Sequence, residues 1–175
     1  GRRVVRSGPG ALSTVMEVAT ADDQRTAFTA FVGEVEPRLR RGLVALRGRE
    51  VGRDATAEAL AWAWEHWDQV RAMDNPAGYL YRVGTSRSRE KRRALLPVDG
   101  HAAPPGFEPG LGPALAALTD RQRAAVVLVH GCGWSYTEVA EAIGVTKSSV
   151  GTHVARGMEQ LRTALGAEQG AGSDG

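Results

Sequence analysis

Short hydroxyl side chains and two cations follow one another at helical spacing near the C-terminal end of the chain. Six residues of this stretch are candidates for contact with a nucleic acid: Lys147, Ser148, Ser149, Thr152, His153 and Arg156. Hydroxyls, a lysine and an arginine near the start of a helix can bind phosphates and base edges in the major groove. These residues predict binding to DNA, but they do not define which DNA sequence is bound.

Three helices are predicted within residues 119–165, since this segment has strong start and stop signals. Thr119 with Gln122, and Ser135 with Glu138, have the spacing of capping boxes, in which two groups satisfy the first amides of a helix. The first helix follows Thr119 and the second follows Ser135. The candidate DNA-binding side chains belong to the third helix.

The second and third of these helices have the pattern of a helix-turn-helix. Ala140 is small enough to let two helices touch, Gly144 can adopt the turn, and Val150 can be buried to lock the last helix in place. The last helix is expected to begin at Thr146 or Lys147 and to run to about residue 165. The alternative is a helical hairpin that only packs and leaves the six candidates as an ordinary wet surface.

A second set of candidates follows Asn75-Pro76, which is a helix-start signal with a capping residue and a proline in the first turn. Tyr79 and Tyr81, beside Arg82 and a basic run, could stack an extruded base and hold a single-stranded backbone. Tyr79 could equally be a core residue. The helix opened by Pro76 is therefore a candidate for binding single-stranded nucleic acid.

Charge is strongly segregated along the first half of the chain, although the formal net charge is only +2. Residues 38–53 contain six arginines and one glutamate, and residues 77–96 contain six basic residues and one acid. Between them, residues 54–76 contain five acids and one arginine. Each block alone could be a solvated face, but two basic blocks around an acidic one suit a face for phosphates and another for a protein.

The acidic block is predicted to form a helix with two distinct faces over roughly residues 54–70. Leu60, Trp64 and Trp67 have the spacing of a stripe that enters the core. A different face holds two acids and one aromatic residue, namely Asp54, Glu58 and Trp62. This face suits docking on a basic protein surface, and a plain solvated helix face is the alternative.

The composition and the helix start and stop signals together predict an all-α protein with two small helical domains and a Pro/Gly-rich linker. Residues of high helix propensity dominate, and no long run alternates apolar and polar residues. The linker contains five of the eight prolines and no lysine or arginine, so a semi-extended tether is expected. We expect a flexible leader at 1–21, a first domain at 22–96, the linker at 97–118, a helix-turn-helix domain at 119–165 and a disordered tail at 166–175.

Catalysis, metal binding and membrane insertion are not indicated. The histidines are scattered, His130 with Cys132 provides too few ligands for a metal site, and no glycine-rich phosphate loop is present. We therefore expect no enzymatic activity, no cofactor and no metal. The longest apolar run, residues 124–129, is too short to cross a bilayer, and a single cysteine favours a reducing cytoplasm.

Nearly the whole chain, from about Phe28 to Leu165, resembles the extracytoplasmic-function sigma factors of bacterial RNA polymerase. Residues 118–161, LTDRQRAAVVLVHGCGWSYTEVAEAIGVTKSSVGTHVARGMEQL, look like sigma domain 4, which binds the minus-thirty-five promoter element. LuxR-type regulators share a similar three-helix pattern. The first domain favours the sigma factors, because DATAE at 54–58 with AWEHWD at 63–68 resembles the segment that docks on the polymerase clamp.

NPAGYLYRV at 75–83 resembles the sigma segment that opens and binds the minus-ten element. The resemblance implies that core polymerase binds Asp54, Glu58 and Trp62, and that the recognition helix contacts the minus-thirty-five element. It also implies ten minus-ten contacts: Asn75, Tyr79, Tyr81, Arg82, Ser86, Arg87, Arg89, Lys91, Arg92 and Arg93. An anti-sigma factor is a further expected partner, since the family often uses one.

One departure from the family pattern follows Val83, where an asparagine and interspersed apolar residues are usual. This chain has GTSRSR at residues 84–89, so the register of the minus-ten segment stays open. Two other functions also stay open: a helix-turn-helix regulator that acts without polymerase, and a protein-interaction module such as an anti-sigma partner.

Overall fold

The computed structural model describes the backbone of residues 9–94 and 110–171, and the side chains of residues 20–88 and 110–166. Its described residues form helices and no strands, which confirms the predicted all-α class. No described helix is both long and apolar enough to span a bilayer. The α-helices are α1 Pro9–Arg47, α2 Arg49–Glu65, α3 Trp67–Val70, α4 Pro76–Ala94, α5 Leu111–Ala116, α6 Asp120–Val126, α7 Tyr136–Ile143 and α8 Lys147–Ala171.

The chain divides into two compact units, residues 1–34 and residues 35–175. In the first unit the backbone is helical from Pro9, within the segment 1–21 that was expected to be a leader, while residues 1–8 lie outside the described part. The rings of Phe28 and Phe31 pack together there, with centroids 5.9 Å apart. The second unit contains residues from both segments that the sequence divided into two domains.

Small side chains form the buried face of α2. Ala55, Ala59 and Ala63 are fully buried, whereas Trp64 is 45% exposed and Leu60 is half-buried. The predicted core stripe of Leu60, Trp64 and Trp67 is therefore wrong. The physical reason is that α2 lies close to its neighbours, where alanine fits and an indole does not.

Helix α4 packs against α2 and continues without a break through the departure from the family pattern after Val83. The glycine at the start of that departure lies at a close approach of the two helices. A Cβ built at Gly84 would lie 2.5 Å from the carbonyl oxygen of Ala55. The lack of a larger residue at position 84 therefore has a packing reason.

The last part of the predicted linker is a packed element. Helix α5 lies against α8, and Ala114 and Leu118 are buried in a cluster with Val126 and Leu161. The semi-extended tether expected at 97–118 is thus wrong for its C-terminal end, because leucine and alanine at helical spacing outweigh the effect of the prolines. Residues 95–109 lie outside the described part.

Two further boundaries differ from the sequence analysis. Helix α6 passes into a π-helical turn at Val127–Gly131, so one helical segment changes its hydrogen-bond pattern before Cys132. The backbone of α8 is helical to Ala171, which is beyond residue 165, where the helix was expected to end.

Candidate nucleic-acid interface

The helix-turn-helix is built by the local signals that predicted it. The Ser135 N–H donates to Glu138 Oε2 at 2.8 Å, and the Glu138 N–H donates to Ser135 Oγ at 3.2 Å, which completes the capping box of α7. Gly144 ends α7 with φ of +67°, a conformation that disfavours residues with a Cβ. Both predicted capping boxes and the predicted turn are confirmed.

Helix α8, the second helix of the helix-turn-helix and the candidate recognition helix, begins with a cluster of hydroxyl groups. Thr146 Oγ1 accepts a hydrogen bond from the Ser149 N–H at 3.2 Å and lies 3.0 Å from Ser148 Oγ. Val150, one turn further, is fully buried, and so is Val139 of α7. The start at Lys147 therefore confirms the expected boundary, with Thr146 acting as the cap.

Helix α8 presents most of its candidate DNA-binding side chains to solvent. Four are exposed, namely Lys147, Ser148, Thr152 and Arg156, and two are half-buried, namely Ser149 and His153. Thr152 Oγ1 donates to the Ser148 carbonyl at 3.3 Å, so its hydroxyl oxygen remains an acceptor. The arrangement provides two cations and several short polar groups on a helix that packs against α7.

The minus-ten candidates on α4 differ in their environments. Tyr79 is half-buried, with its ring centroid 5.3 Å from that of Trp62 and the Arg82 guanidinium carbon 5.2 Å from its centre. Tyr81 is only 5% exposed and packs edge-on against Trp134 at 5.7 Å. In this conformation Tyr81 cannot stack on a base, since its ring is inside the core.

The polar candidates near α4 also have partners within the chain. The Asn75 side-chain amide donates to the Thr137 carbonyl at 3.4 Å, and Arg82 forms an ion pair with Glu141 at 3.0 Å. Ser86 is exposed. Four basic candidates lie outside the described side chains, namely Arg89, Lys91, Arg92 and Arg93, although the α4 backbone continues past them.

The three residues expected to bind the polymerase do not form one free patch. Asp54 is exposed, but Glu58 is half-buried and pairs with Arg87 at 3.8 Å. The Trp62 ring stacks on His66 with a centroid distance of 4.1 Å. Of the three, only Asp54 therefore lies fully at the surface.

A contact that the sequence analysis did not predict joins α7 to the N-terminal helices of the second unit. Arg38 of α1 pairs with Glu138 at 2.8 Å, in addition to the pairing of Arg82 with Glu141. Glu138 and Glu141 are three residues apart on α7 and lie on the same side. That spacing was the only sequence signal for the contact, and it does not identify the partners.

A cleft of about 700 Å³ lies beside this contact and is rich in arginine. Its walls include Arg47, Arg82, Arg121 and Arg123, with Asp120 as an acid among them. Asp120 is paired with Arg123, so positive charge prevails in the cleft.

Burial affects the titration of two groups near this region. It raises the pKa of the Tyr81 phenol, and the charge of Arg47 partly opposes that effect. Burial likewise raises the pKa of the Cys132 thiol, which disfavours the reactive thiolate. Cys132 therefore has the properties of a packing residue.

Comparison with known protein families gives a match for the C-terminal part of the chain. The family described as Sigma-70, region 4 matches residues 111–161, a range that begins with α5 and includes the helix-turn-helix. No curated protein gave a match to the sequence.

Solved structures match most of the chain. The sigma factor RpoE, crystallised with the anti-sigma factor NepR from Bartonella quintana, matches with a TM-score of 0.61 and 22% identity, covering 79% of this chain and 96% of that one. CnrH, in complex with the cytosolic domain of CnrY, matches with a TM-score of 0.59 and 19% identity, covering 87% of this chain and 96% of that one. At these identities the likeness concerns the fold.

Proposed function

We propose that the chain is an extracytoplasmic-function sigma factor of the sigma-70 family, and that it directs core RNA polymerase to promoters through two DNA contacts. This proposal is supported by the match of residues 111–161 to Sigma-70, region 4 and by the likeness in fold to the two solved structures. The observation that carries this proposal is the capped helix-turn-helix at the end of a fold shared with sigma factors over most of the chain. In this account the protein is a non-enzymatic initiation factor that acts in the cytoplasm, where core polymerase is found.

The upstream contact is made by the exposed side of α8. Lys147 and Arg156 bind phosphates or guanine edges of the minus-thirty-five element, and the hydroxyls of Ser148, Ser149 and Thr152 with His153 complete the surface. The support for this assignment is that four of these side chains are exposed and that Ser149 and His153 are half-buried, on a helix whose Val150 is fully buried.

The downstream contact is made by α4. Arg82 and the basic residues that follow hold the single-stranded backbone, and Tyr79 supplies the aromatic surface on which a base stacks. Tyr81, buried here, contributes to this contact only after α7 moves away. Asp54, with Glu58 and Trp62, is the proposed docking surface for core polymerase.

A regulator that binds DNA without polymerase is not favoured, since the family match is to sigma region 4 and the fold likeness extends through the N-terminal helices. Both matched structures are complexes with a second protein, namely the sigma factor RpoE with the anti-sigma factor NepR, and CnrH with the cytosolic domain of CnrY. We extend this to the present chain and propose an anti-sigma factor as a third partner.

The deciding experiment is run-off transcription with purified core polymerase on genomic promoter fragments. We expect discrete transcripts only when this protein is added to the core enzyme. Specific duplex binding by the isolated protein, without any stimulation of core polymerase, would support the regulator and contradict the sigma factor.

A further inference from the structure

We infer that the arginine-rich cleft beside α4 is a binding site for a small polyphosphate, either an inorganic chain of phosphates or the polyphosphate of a nucleotide. All the residues that line the cleft belong to the compact unit of residues 35–175. Neither the proposed DNA contacts nor the proposed polymerase contact requires such a ligand, so the inference goes beyond the proposed function. The charge of the cleft, a buried hydroxyl without a partner and the size of the cleft carry it.

The first observation is the surplus of guanidinium groups in the cleft. Four arginines and one aspartate line it. Two of these arginines already pair with acids: Arg82 with Glu141, and Arg123 with Asp120. Arg47 and Arg121 form no ion pair with any residue in the described part of the chain. A guanidinium binds phosphate oxygens through two parallel hydrogen bonds, so these two arginines are free to hold a phosphate.

Arg47 does not lie on an ordinary solvated face. Its side chain is half-buried, and its positive charge acts on the buried phenol of Tyr81, where it opposes the rise in the pKa that burial causes. A cation that is partly removed from water loses hydration, and no described carboxylate compensates Arg47 for that loss. An anion in the cleft would supply the missing charge.

The second observation is a buried hydroxyl group in the wall of the same cleft. Thr85 Oγ1 lies near the Tyr81 phenol but makes no hydrogen bond of normal geometry within the described part of the chain. Buried polar atoms in folded proteins nearly always have a hydrogen-bond partner. Because a hydroxyl can donate to a phosphate oxygen, a bound phosphate would satisfy Thr85. The exposed hydroxyl of Ser86 lines the cleft next to it.

The third observation is the size of the cleft and the variety of its walls. Its volume of about 700 Å³ is within the range of about 300–1,000 Å³ that is typical of sites for small ligands. Helices α1, α4, α6 and α7 all contribute side chains, so the cleft is a local concavity and not a groove along one helix. This shape favours a compact ligand over a nucleic-acid strand. Leu46 and Ile143 add apolar surface against which a nucleoside could pack.

Binding is tested by isothermal titration calorimetry of the full chain in about 150 mM salt without magnesium. Inorganic tripolyphosphate and GTP are the two probes. We expect saturable binding of both at one site. Tighter binding of GTP would support the site and identify a nucleotide as its ligand, whereas equal binding would support the site and identify the polyphosphate itself. The absence of saturable binding with both probes would overturn the inference.

Two substitutions remove the unpaired charges. Arg47→Gln and Arg121→Gln should each weaken tripolyphosphate binding about tenfold, because each removes charge-assisted hydrogen bonds to phosphate. Arg121 is exposed, so its replacement tests the site without disturbing buried packing. Arg162→Gln removes the same charge from an exposed position on α8 outside the cleft and should leave binding unchanged. Equal weakening in all three variants would show nonspecific attraction and overturn the inference.

The hydroxyl is tested by Thr85→Val, which keeps the shape of the side chain. Binding of tripolyphosphate should weaken about three- to tenfold, whereas the melting temperature of the ligand-free chain should be unchanged or higher, since the hydroxyl has no partner to lose. Thr163→Val, at an exposed position on α8, is the matched control and should change neither quantity. A lower melting temperature together with unchanged binding would contradict the role assigned to Thr85.

A nucleic acid as the true ligand is distinguished by competition. A labelled mixed-sequence DNA single strand of about 15 nucleotides is followed by fluorescence anisotropy, with tripolyphosphate as the competitor. The inference is overturned if Arg47→Gln and Arg121→Gln weaken binding of the strand while tripolyphosphate binds no variant, because the cleft would then belong to a nucleic-acid contact. Run-off transcription without added tripolyphosphate tests the proposed function separately, so the two can fail independently.

Discussion

Glu138 has two functions that sequence alone could reveal only in part. One of its carboxylate oxygens accepts from the Ser135 N–H and caps α7, and the other pairs with Arg38 of α1. The capping role follows from three-residue spacing and was predicted. The pairing depends on how α1 and α7 pack, which no local pattern specifies.

The ionisation of Glu138 should make stability depend on pH. Burial by itself raises the pKa of Glu138, but hydrogen bonds from Ser135 and the charge of Arg38 outweigh burial and hold the pKa below its ordinary value of 4.5. The ionised carboxylate therefore stabilises the folded state above about pH 4.5, and this contribution is lost as the pH falls through the lowered pKa.

This is measured by urea unfolding of the unchanged chain and of Glu138→Gln from about pH 7 to about pH 3. We expect the variant to be less stable by about 0.5–1 kcal/mol near neutrality, and the difference to vanish in acid. Glu159→Gln on α8 is the control. A difference that persists unchanged at the acidic end would contradict the assigned role of the carboxylate.

Substitution of either of two cations on the recognition helix should weaken DNA binding more than substitution of a third cation on the same helix. Lys147→Ala or Arg156→Ala is expected to weaken minus-thirty-five binding by the holoenzyme by about 1–3 kcal/mol if a base is contacted, or to lower the salt slope by about one if a phosphate is held. Arg162→Ala, exposed further along α8, is the matched control. Equal losses at all three positions, measured by gel shift across salt concentrations, would mean nonspecific attraction.

The proposed polymerase contact should depend more on Asp54 than on Glu58. Asp54 is exposed, whereas Glu58 already pairs with Arg87. Asp54→Lys is expected to reduce co-elution with core polymerase by about tenfold or more, the effect of a reversed charge at a protein interface. Asp23→Lys, an exposed acid on α1 outside the docking segment, is the control, and helicity should be unchanged in both.

At the level of elements, local sequence signals predicted helix ends correctly, whereas the sequence did not predict the long-range packing of the helices. Both capping boxes, the turn at Gly144 and the start of α8 were predicted, because each depends on residues within one turn of the chain. The buried face of α2 was wrongly predicted from its tryptophans, since helix separation rather than side-chain size selects the core residues there. Helix α5 was missed because the prolines of this segment favoured an extended linker over a short packed helix.

The turn between α7 and α8 provides an element-level prediction. Gly144 has φ of +67°, so Gly144→Ala should destabilise the protein by about 1–2 kcal/mol and lower the melting temperature. Gly166→Ala, inside α8 with nothing within 4 Å of a new Cβ, should cause no loss and is the control. Equal melting temperatures for the two variants would contradict the turn geometry.

The whole molecule combines two proposed DNA contacts with a contact between α7 and α4, in which Glu141 pairs with Arg82 and the Thr137 carbonyl accepts from Asn75. The predicted domains at 22–96 and 119–165 share a compact unit from Val35 onward, joined by α7 against α4. The charges and helix signals of the sequence predict the two DNA contacts, which remain proposals. The sequence could not identify the contact of α7 with α1 and α4, in which Glu138 pairs with Arg38 and Glu141 pairs with Arg82.

The central claim, that this chain directs polymerase to promoters, is tested most directly by sequencing transcript 5′ ends made from genomic DNA by core polymerase with and without the protein. We predict new start sites with a shared upstream element, and their loss with Lys147→Ala and Arg156→Ala combined but not with Arg162→Ala. A set of start sites that does not change when the protein is added would contradict the claim.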